Sequence, residues 1–296
     1  MRRLVALALA ACHPRAPAPP PIPSPGISIA VYDTFSIVDD RRDLDVDTGR
    51  ALVLDRLEPG VSLASLQIES DLDVGACHRE LAGGSSITCA VTGARGRHRV
   101  RLVYATTAIH YTAQHAIFFD AQTTKARVAS AFEVRTPAWG GRADVAIYDA
   151  APGGEHAPHE VARRDVPLDG TAATFQIDPH DVPGALRDRY DRAPTDEAAD
   201  PGVWVWLELP GTWLPPGDIR VTADSYVALL SQQTRKQDAT ALRLPLHEDP
   251  DLQVTHQGAQ TRITSTASAA REVWFDGKKL VIPPRGGMPI VIGPAR

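Results

Sequence analysis

From residue 27 onward, apolar residues recur at every second position in short runs rather than at helical spacing. Ile27, Ile29 and Val31 alternate with small or polar residues, and Phe35 and Ile37 continue the period of two, as expected of half-buried strands. The longest run, residues 97–119, divides into two strands. In it Val100, Leu102 and Tyr104 share one face, with Arg99, Arg101 and Val103 on the other. Ala126, Val128, Phe132 and Val134, then Ala143, Val145 and Ile147, predict two more strands joined around Trp139-Gly140-Gly141. Leu168-Asp169-Gly170, Pro215-Pro216-Gly217 and Asp276-Gly277 read as turns between later runs. The charge run 39–43 predicts a solvated turn. Leu44 and Val46, followed by Asp47-Thr48-Gly49 and residues 51–54, predict a hairpin, and Val61, Leu63, Leu66 and Ile68 a further short strand. One stretch, 183–200, predicts a helix, with Leu186 and Tyr190 at i and i+4.

The pattern is all-β: immunoglobulin-like β-sandwich domains, mostly antiparallel, with little helix. It divides into one sandwich over 27–120, a second over 121–254 and a C-terminal β extension over 255–296.

The first 26 residues follow a different pattern. Arg2 and Arg3 precede an apolar run from Leu4 to Leu9, and Leu9-Ala10-Ala11-Cys12 is a small-residue stretch ending in cysteine. A basic start, a short apolar segment and small residues are the layout of a secretory signal. Its ending resembles a bacterial lipoprotein signal over residues 1–12, in which Cys12 is lipidated and becomes the mature N-terminus. The run is well short of the roughly 20 residues that span a bilayer. Residues 13–26 are proline-rich, a semi-rigid spacer that would hold a folded domain away from a membrane surface.

A net charge of -5 argues against a general nucleic-acid binder. The 31 basic residues include only the lysines Lys125, Lys236, Lys278 and Lys279, and there is no asparagine, a bias of GC-rich coding that removes N-glycosylation. With Cys12 assigned to the leader, Cys77 and Cys89 remain as a pair. They flank Ala82-Gly83-Gly84, and a three-residue loop there puts 77 directly opposite 89 in an antiparallel hairpin, within reach of a disulfide. The rival is a metal site from Cys77, His78, Cys89 and His98. Its spacing fits no C-x-x-C template, and adjacent strand residues point to opposite faces, so no metal and no cofactor is expected. His110 and His115, five apart, are poor co-ligands for the same reason. His156 and His159 lie in a Gly/Pro loop without a third ligand.

Several blocks together resemble the mucoidy inhibitor A-like family, that is, domain of unknown function 4139. They are VYDTFSIVDDRRDLDVDTGRALVLDRLEPGVSLASLQIES (31–70), YTAQHAIFFD (111–120), ADVAIYD (143–149), WLPPGDIRV (213–221) and LRLPLHEDPDLQV (242–254). The likeness covers roughly 27–254. It implies a β-sandwich envelope or surface protein and brings no catalytic residues. Longer members carry an additional N-terminal domain and a coiled-coil insertion, and this chain shows no sustained heptad.

G-x-S-x-G, H-E-x-x-H, P-loop and dinucleotide fingerprints are all missing. The expectation is a non-enzymatic envelope lipoprotein, on the periplasmic face or the outer membrane, held by its lipid anchor and binding an envelope protein or glycan. The alternatives are a cryptic hydrolase and a carbohydrate-binding module. For the hydrolase the nearest hints are the histidine pairs and the acidic clusters Asp71/Asp73 and Glu248/Asp249/Asp251, which read as solvated turn residues. For the carbohydrate-binding module, Trp139, Trp204, Trp206, Trp213 and Trp274 would be stacking platforms if they line one open face. Alternation of Val203, Val205 and Leu207 against Trp204, Trp206 and Glu208 points to a strand covered on both sides.

Overall fold

The computed structural model describes residues 26–46, 51–58, 61, 63–79, 86–93, 95–149, 158–191, 201–223, 226–238, 240–258, 260–285 and 287–292. Cys12, the expected signal and nearly all of the proline-rich spacer lie outside the described residues, as do the turns expected within 47–50 and 80–85 and His156. The described residues form an all-β fold of sandwich type whose longest helical element is one 3₁₀ turn, Leu63–Ser65. Among the described residues no helix is long and apolar enough to cross a membrane.

The described strands form five sheets. The first runs, edge to edge, β11 (Glu160–Pro167), β10 (Arg142–Tyr148), β1 (Gly26–Val31), β2 (Ser36–Val46), β7 (Gly96–Thr106) and β4 (Gln67–Ser70). The second runs β12 (Ala172–Pro183), β9 (Lys125–Arg135), β8 (Tyr111–Asp120), β15 (Asp218–Ala223) and β16 (Tyr226–Leu230). In the third the order is β17 (Lys236–Gln237), β18 (Ala241–Glu248), β14 (Gly202–Pro210), β13 (Ala185–Asp191), β21 (Arg271–Phe275) and β22 (Lys278–Ile282). Two three-stranded sheets complete it: β19 (Leu252–Gln257), β20 (Gln260–Ser265) and β23 (Ile290–Ile292), and β3 (Ala51–Leu54), β6 (Ile87–Thr92) and β5 (Asp73–Arg79). Pairing is mostly antiparallel. The exceptions among the described strands are β1 with β10, β8 with β15 and β13 with β21.

The second sheet organises the molecule because its long strands serve two cores. At one end Tyr111, Ala113, Phe132, Val134 and Phe175 join the first sheet's Val38, Val100, Leu102 and Ile147. Toward the other end Ile117, Phe119, Val128, Ile219 and Val221 pack with Leu207, Leu209, Leu242 and Leu244 of the third sheet. A smaller third core gathers Val203, Leu252, Ile263, Val273 and Ile282. Residue 120 ends β8, which pairs with β9 in continuous register from Tyr111↔Val134 to Asp120↔Lys125.

Four expectations are corrected. The charge run 39–43 is the middle of β2 rather than a turn. Its outward carboxylates pair across strands, Asp39 with Arg101 (3.0 Å) and Asp43 with Arg99 (3.1 Å), while inward Asp40 is buried against Arg42 (2.5 Å). With every charge matched and no Gly or Pro to break the chain, extension is favoured. Secondly, residues 44–54 do not form a hairpin. β2 pairs with β1 and β7, whereas β3 pairs with β6, burying Leu52 and Leu54. Thirdly, Leu63 belongs to the 3₁₀ turn and the strand begins only at Gln67. Finally, residues 185–191 of the expected helix are strand β13, paired with β14 along its whole length. Leu186 and Tyr190 are an even number apart, so their spacing fits a strand face as well as a helix face.

Candidate binding site

Cys77 and Cys89 are bonded to each other and stand directly opposite in the β5–β6 register, Cα to Cα 4.0 Å. The bond removes both thiols as metal ligands. His98 takes Asp71 instead (Nδ1–Oδ1 2.9 Å), and this hydrogen bond pulls the Asp71 carboxyl below its ordinary range. Among the described residues no group of three or more His, Cys, Asp or Glu is placed to hold a metal ion. His110 is exposed, with Nδ1 3.2 Å from the Thr107 carbonyl. His115 is buried.

The His115 environment follows from strand register. His115 lies opposite Ser130 on β9 and beside Ile219 on β15, where the inner side of the second sheet passes from one core to the next. Its Nε2 is 3.0 Å from the Pro215 carbonyl, which can only accept, so Nε2 carries the proton. Nδ1 then accepts from the Ser130 hydroxyl at 2.8 Å. Burial holds the imidazole at about 4, well below its ordinary value; the Pro215 hydrogen bond opposes the shift and Arg235 adds to it. The ring is 3% exposed and edge-on to Phe132. A serine hydroxyl donating to a neutral imidazole is the local geometry of an activated nucleophile. Here, however, the pair faces the junction of two cores, and the arrangement satisfies polar groups there.

The same strands carry a hollow of about 810 Å³, whose lining includes His115 and Ser130 together with the outward residues on either side of them. Two outward cross-strand rows line it. Gln176, Ala131, Gln114 and Asp218 stand side by side in one row; Ala129, Ala116, Arg220 and Leu229 form the next. Alanines at three central positions leave a depression where larger side chains would fill the surface. Asp178 and Pro179 bound it at the β12 irregularity, where the register with β9 shifts between Ile177 and His180. The third row, Arg127, Phe118, Thr222 and Val227, extends the face past the hollow. Phe118, Val227 and Leu229 are 53%, 51% and 79% exposed. On this side β16 is the edge strand, paired with β15 alone within the sheet.

The acidic residues of the expected turn 248–251 are not all solvated. The Asp249 side chain is 2% exposed and meets Arg271 at 2.5 Å; the same guanidinium takes Asp188 at 2.9 Å and Asp251 at 3.4 Å. Burial raises Asp188 above the usual carboxylate range, Arg271 pulling it down and Asp249 pushing it up. Sequence reasoning missed Asp188, which it placed on a helix, and Arg271, which it did not connect to the turn.

Trp206 is fully buried and the other four tryptophans half-buried. No protein-family model, no curated protein and no solved structure matches the chain.

Proposed function

We propose that this protein is a non-enzymatic binding module of the bacterial envelope, tethered through lipid on Cys12, and that the hollow of the second sheet receives an extended segment of a partner protein. The observation that carries this reading is the alanine-floored hollow beside exposed Phe118, Val227 and Leu229, with β16 as the edge strand of the sheet. Contiguous exposed apolar residues beside a concave surface favour partner binding. An edge strand supplies backbone donors and acceptors to which a partner strand can add. The sequence of residues 1–12 and the Cys77–Cys89 disulfide support an oxidising, extracytoplasmic compartment, and kinship with the mucoidy inhibitor A-like proteins belongs to the same proposal.

A random peptide library displayed on phage and panned against the purified domain tests the binding reading. Extended sequences with alternating apolar residues are expected to be enriched, and Ala116→Arg or Ala129→Arg to abolish their binding while Val281→Ser, on the third sheet, leaves it intact. Enrichment of no peptide, or binding indifferent to Ala116→Arg, overturns it. Tethering is tested separately by fractionating cells that make wild type or Cys12→Ala. The wild type is expected with the membranes, carrying lipid on its N-terminal cysteine, and the variant in the soluble fraction.

A further inference from the structure

The hollow of the second sheet holds unpaired charges of opposite sign at its two walls. On β12, residues 178 and 179 fall between the pairs Ile177↔Ser130 and His180↔Val128, which places Asp178 and Pro179 beside Ala129 on β9. From there one row runs across the sheet. Ala129 faces Ala116 on β8, Ala116 stands beside Arg220 on β15, and Arg220 faces Leu229 on β16. The row thus begins at a carboxylate, crosses two alanines, meets a guanidinium and ends on a leucine that is 79% exposed.

Asp178 and Arg220 are both exposed, and neither makes a hydrogen bond or an ion pair with any described residue. The other sheets treat their surface charges differently. On the first sheet Asp39 and Asp43 are paired with Arg101 and Arg99, and on the third Glu208 is held by both Arg187 and Arg243. Asp178 and Arg220 are three strand spacings apart, about 14 Å, too far to neutralise each other, and the alanines between them carry no polar group. In an extended chain alternate side chains share a face and the rise is about 3.3 Å per residue. Residues four apart on one face therefore span about 13 Å, which matches the distance between the two walls.

We propose that the segment received by the hollow is dipolar. It lies across the strands with a basic residue at i on Asp178, an apolar residue at i+2 on the alanine floor, an acidic residue at i+4 on Arg220 and a second apolar residue at i+6 on Leu229. This rests on the reading of the hollow as the seat of a partner's extended segment, and names the chemistry of that segment. Arg220 takes the partner's carboxylate in the two-pronged geometry a guanidinium favours. Of the remaining charges on this face, Asp218 stands beside Gln114 in the adjoining row, and Arg127 and Asp181 stand opposite each other in the next. A uniformly acidic segment meets Asp178 and Asp218, and a uniformly basic one meets Arg220, so each is repelled at one wall. Past Leu229 the segment reaches β16, the edge strand of the sheet, where its backbone turns to pair.

The test is fluorescence anisotropy with four labelled peptides that share valine at i+2 and leucine at i+6, with serine and threonine elsewhere. At i and i+4 they carry lysine and glutamate, two lysines, two glutamates or two glutamines. Wild type is expected to bind the lysine–glutamate peptide at least about threefold more tightly than each of the others, the scale set by exposed ion pairs, and added salt should narrow the differences. Arg220→Glu, which makes both walls acidic, should prefer the two-lysine peptide, and Asp178→Lys the two-glutamate peptide. Both positions are exposed and without a partner, so the variants keep the fold, which circular dichroism checks. The proposal is overturned if wild type binds the four peptides alike, or if Arg220→Glu keeps the wild-type order. If a library-selected peptide binds and the lysine–glutamate peptide does not, the charge pattern fails while the hollow remains a peptide seat; if neither binds, the reading of the hollow fails with it.

Discussion

Replacing Arg271 with methionine exposes the energetic design of the third sheet's junction with the 249–251 turn. The guanidinium is 31% exposed but neutralises two carboxylates that are 12% and 2% exposed, Asp188 and Asp249, and reaches Asp251 as well. Removing one partner of a buried ion pair costs about 3–5 kcal/mol, because the remaining charge stays desolvated. The partial exposure of Arg271 places the expected loss near the lower end, about 3 kcal/mol, or a fall in Tm of about 6–12 °C for a domain of this size. The pH dependence gives the reasoning its sign. Burial and the neighbouring Asp249 both raise the Asp188 carboxyl, and Arg271 alone among the named causes strongly lowers it. In the variant the folded carboxyl therefore binds a proton more readily than the unfolded one. Stability from that proton is present below the unfolded carboxylate value near 4 and is lost as pH rises through the raised folded value. Urea unfolding of wild type and Arg271→Met at pH 8 and pH 5 checks this. The deficit should be largest at pH 8 and shrink at pH 5, and Asp249→Asn added to the variant should recover part of it at pH 8. A deficit below about 1 kcal/mol at pH 8, or one that does not change with pH, would refute the reasoning.

Other consequences are as direct. Reducing the Cys77–Cys89 bond, which closes a separation of 12 residues, should cost roughly 3 kcal/mol on the chain-entropy model, seen as a lower urea midpoint in reductant and absent in the Cys77→Ala/Cys89→Ala double variant. His115 has its folded value lowered to about 4, so its contribution is present above the unfolded value near 6.5 and is lost as pH falls toward 4. Subtracting the stability profile of His115→Gln from that of wild type should leave a decline between pH 6.5 and 4; a flat difference would contradict the buried neutral imidazole. At Gly217 an added Cβ would lie 2.3 Å from the Ala113 carbonyl oxygen, so Gly217→Ala should force β15 away from β8 and cost about 1–3 kcal/mol in thermal unfolding.

How much of this was legible in the sequence depends on whether the deciding contact is local. The disulfide was, because a strand period of two and a Gly-rich loop between 77 and 89 determine which residues face each other. The strands at 97–119 and the Asp276-Gly277 turn were legible for the same reason; both turn residues adopt positive φ (46° and 73°). The charge run 39–43 was not, since its carboxylates are neutralised by Arg99 and Arg101 of β7, far along the chain. Nor was β13: Leu186 and Tyr190 suit either period, and pairing with β14 decides between them. The hollow left no local signal at all. Ala116, Ala129 and Ala131 are unremarkable in sequence and become a floor only when register sets them on adjacent strands. His115 and Ser130 meet by the same register.

The most direct test of the binding reading is hydrogen exchange of the domain with and without a peptide selected from the library. Binding in the hollow with strand addition predicts slowed exchange confined to the backbone amides of Tyr226–Leu230 and the adjoining β15, with the first and third sheets unchanged. Protection elsewhere, or none at β16 while the peptide is bound, would contradict it.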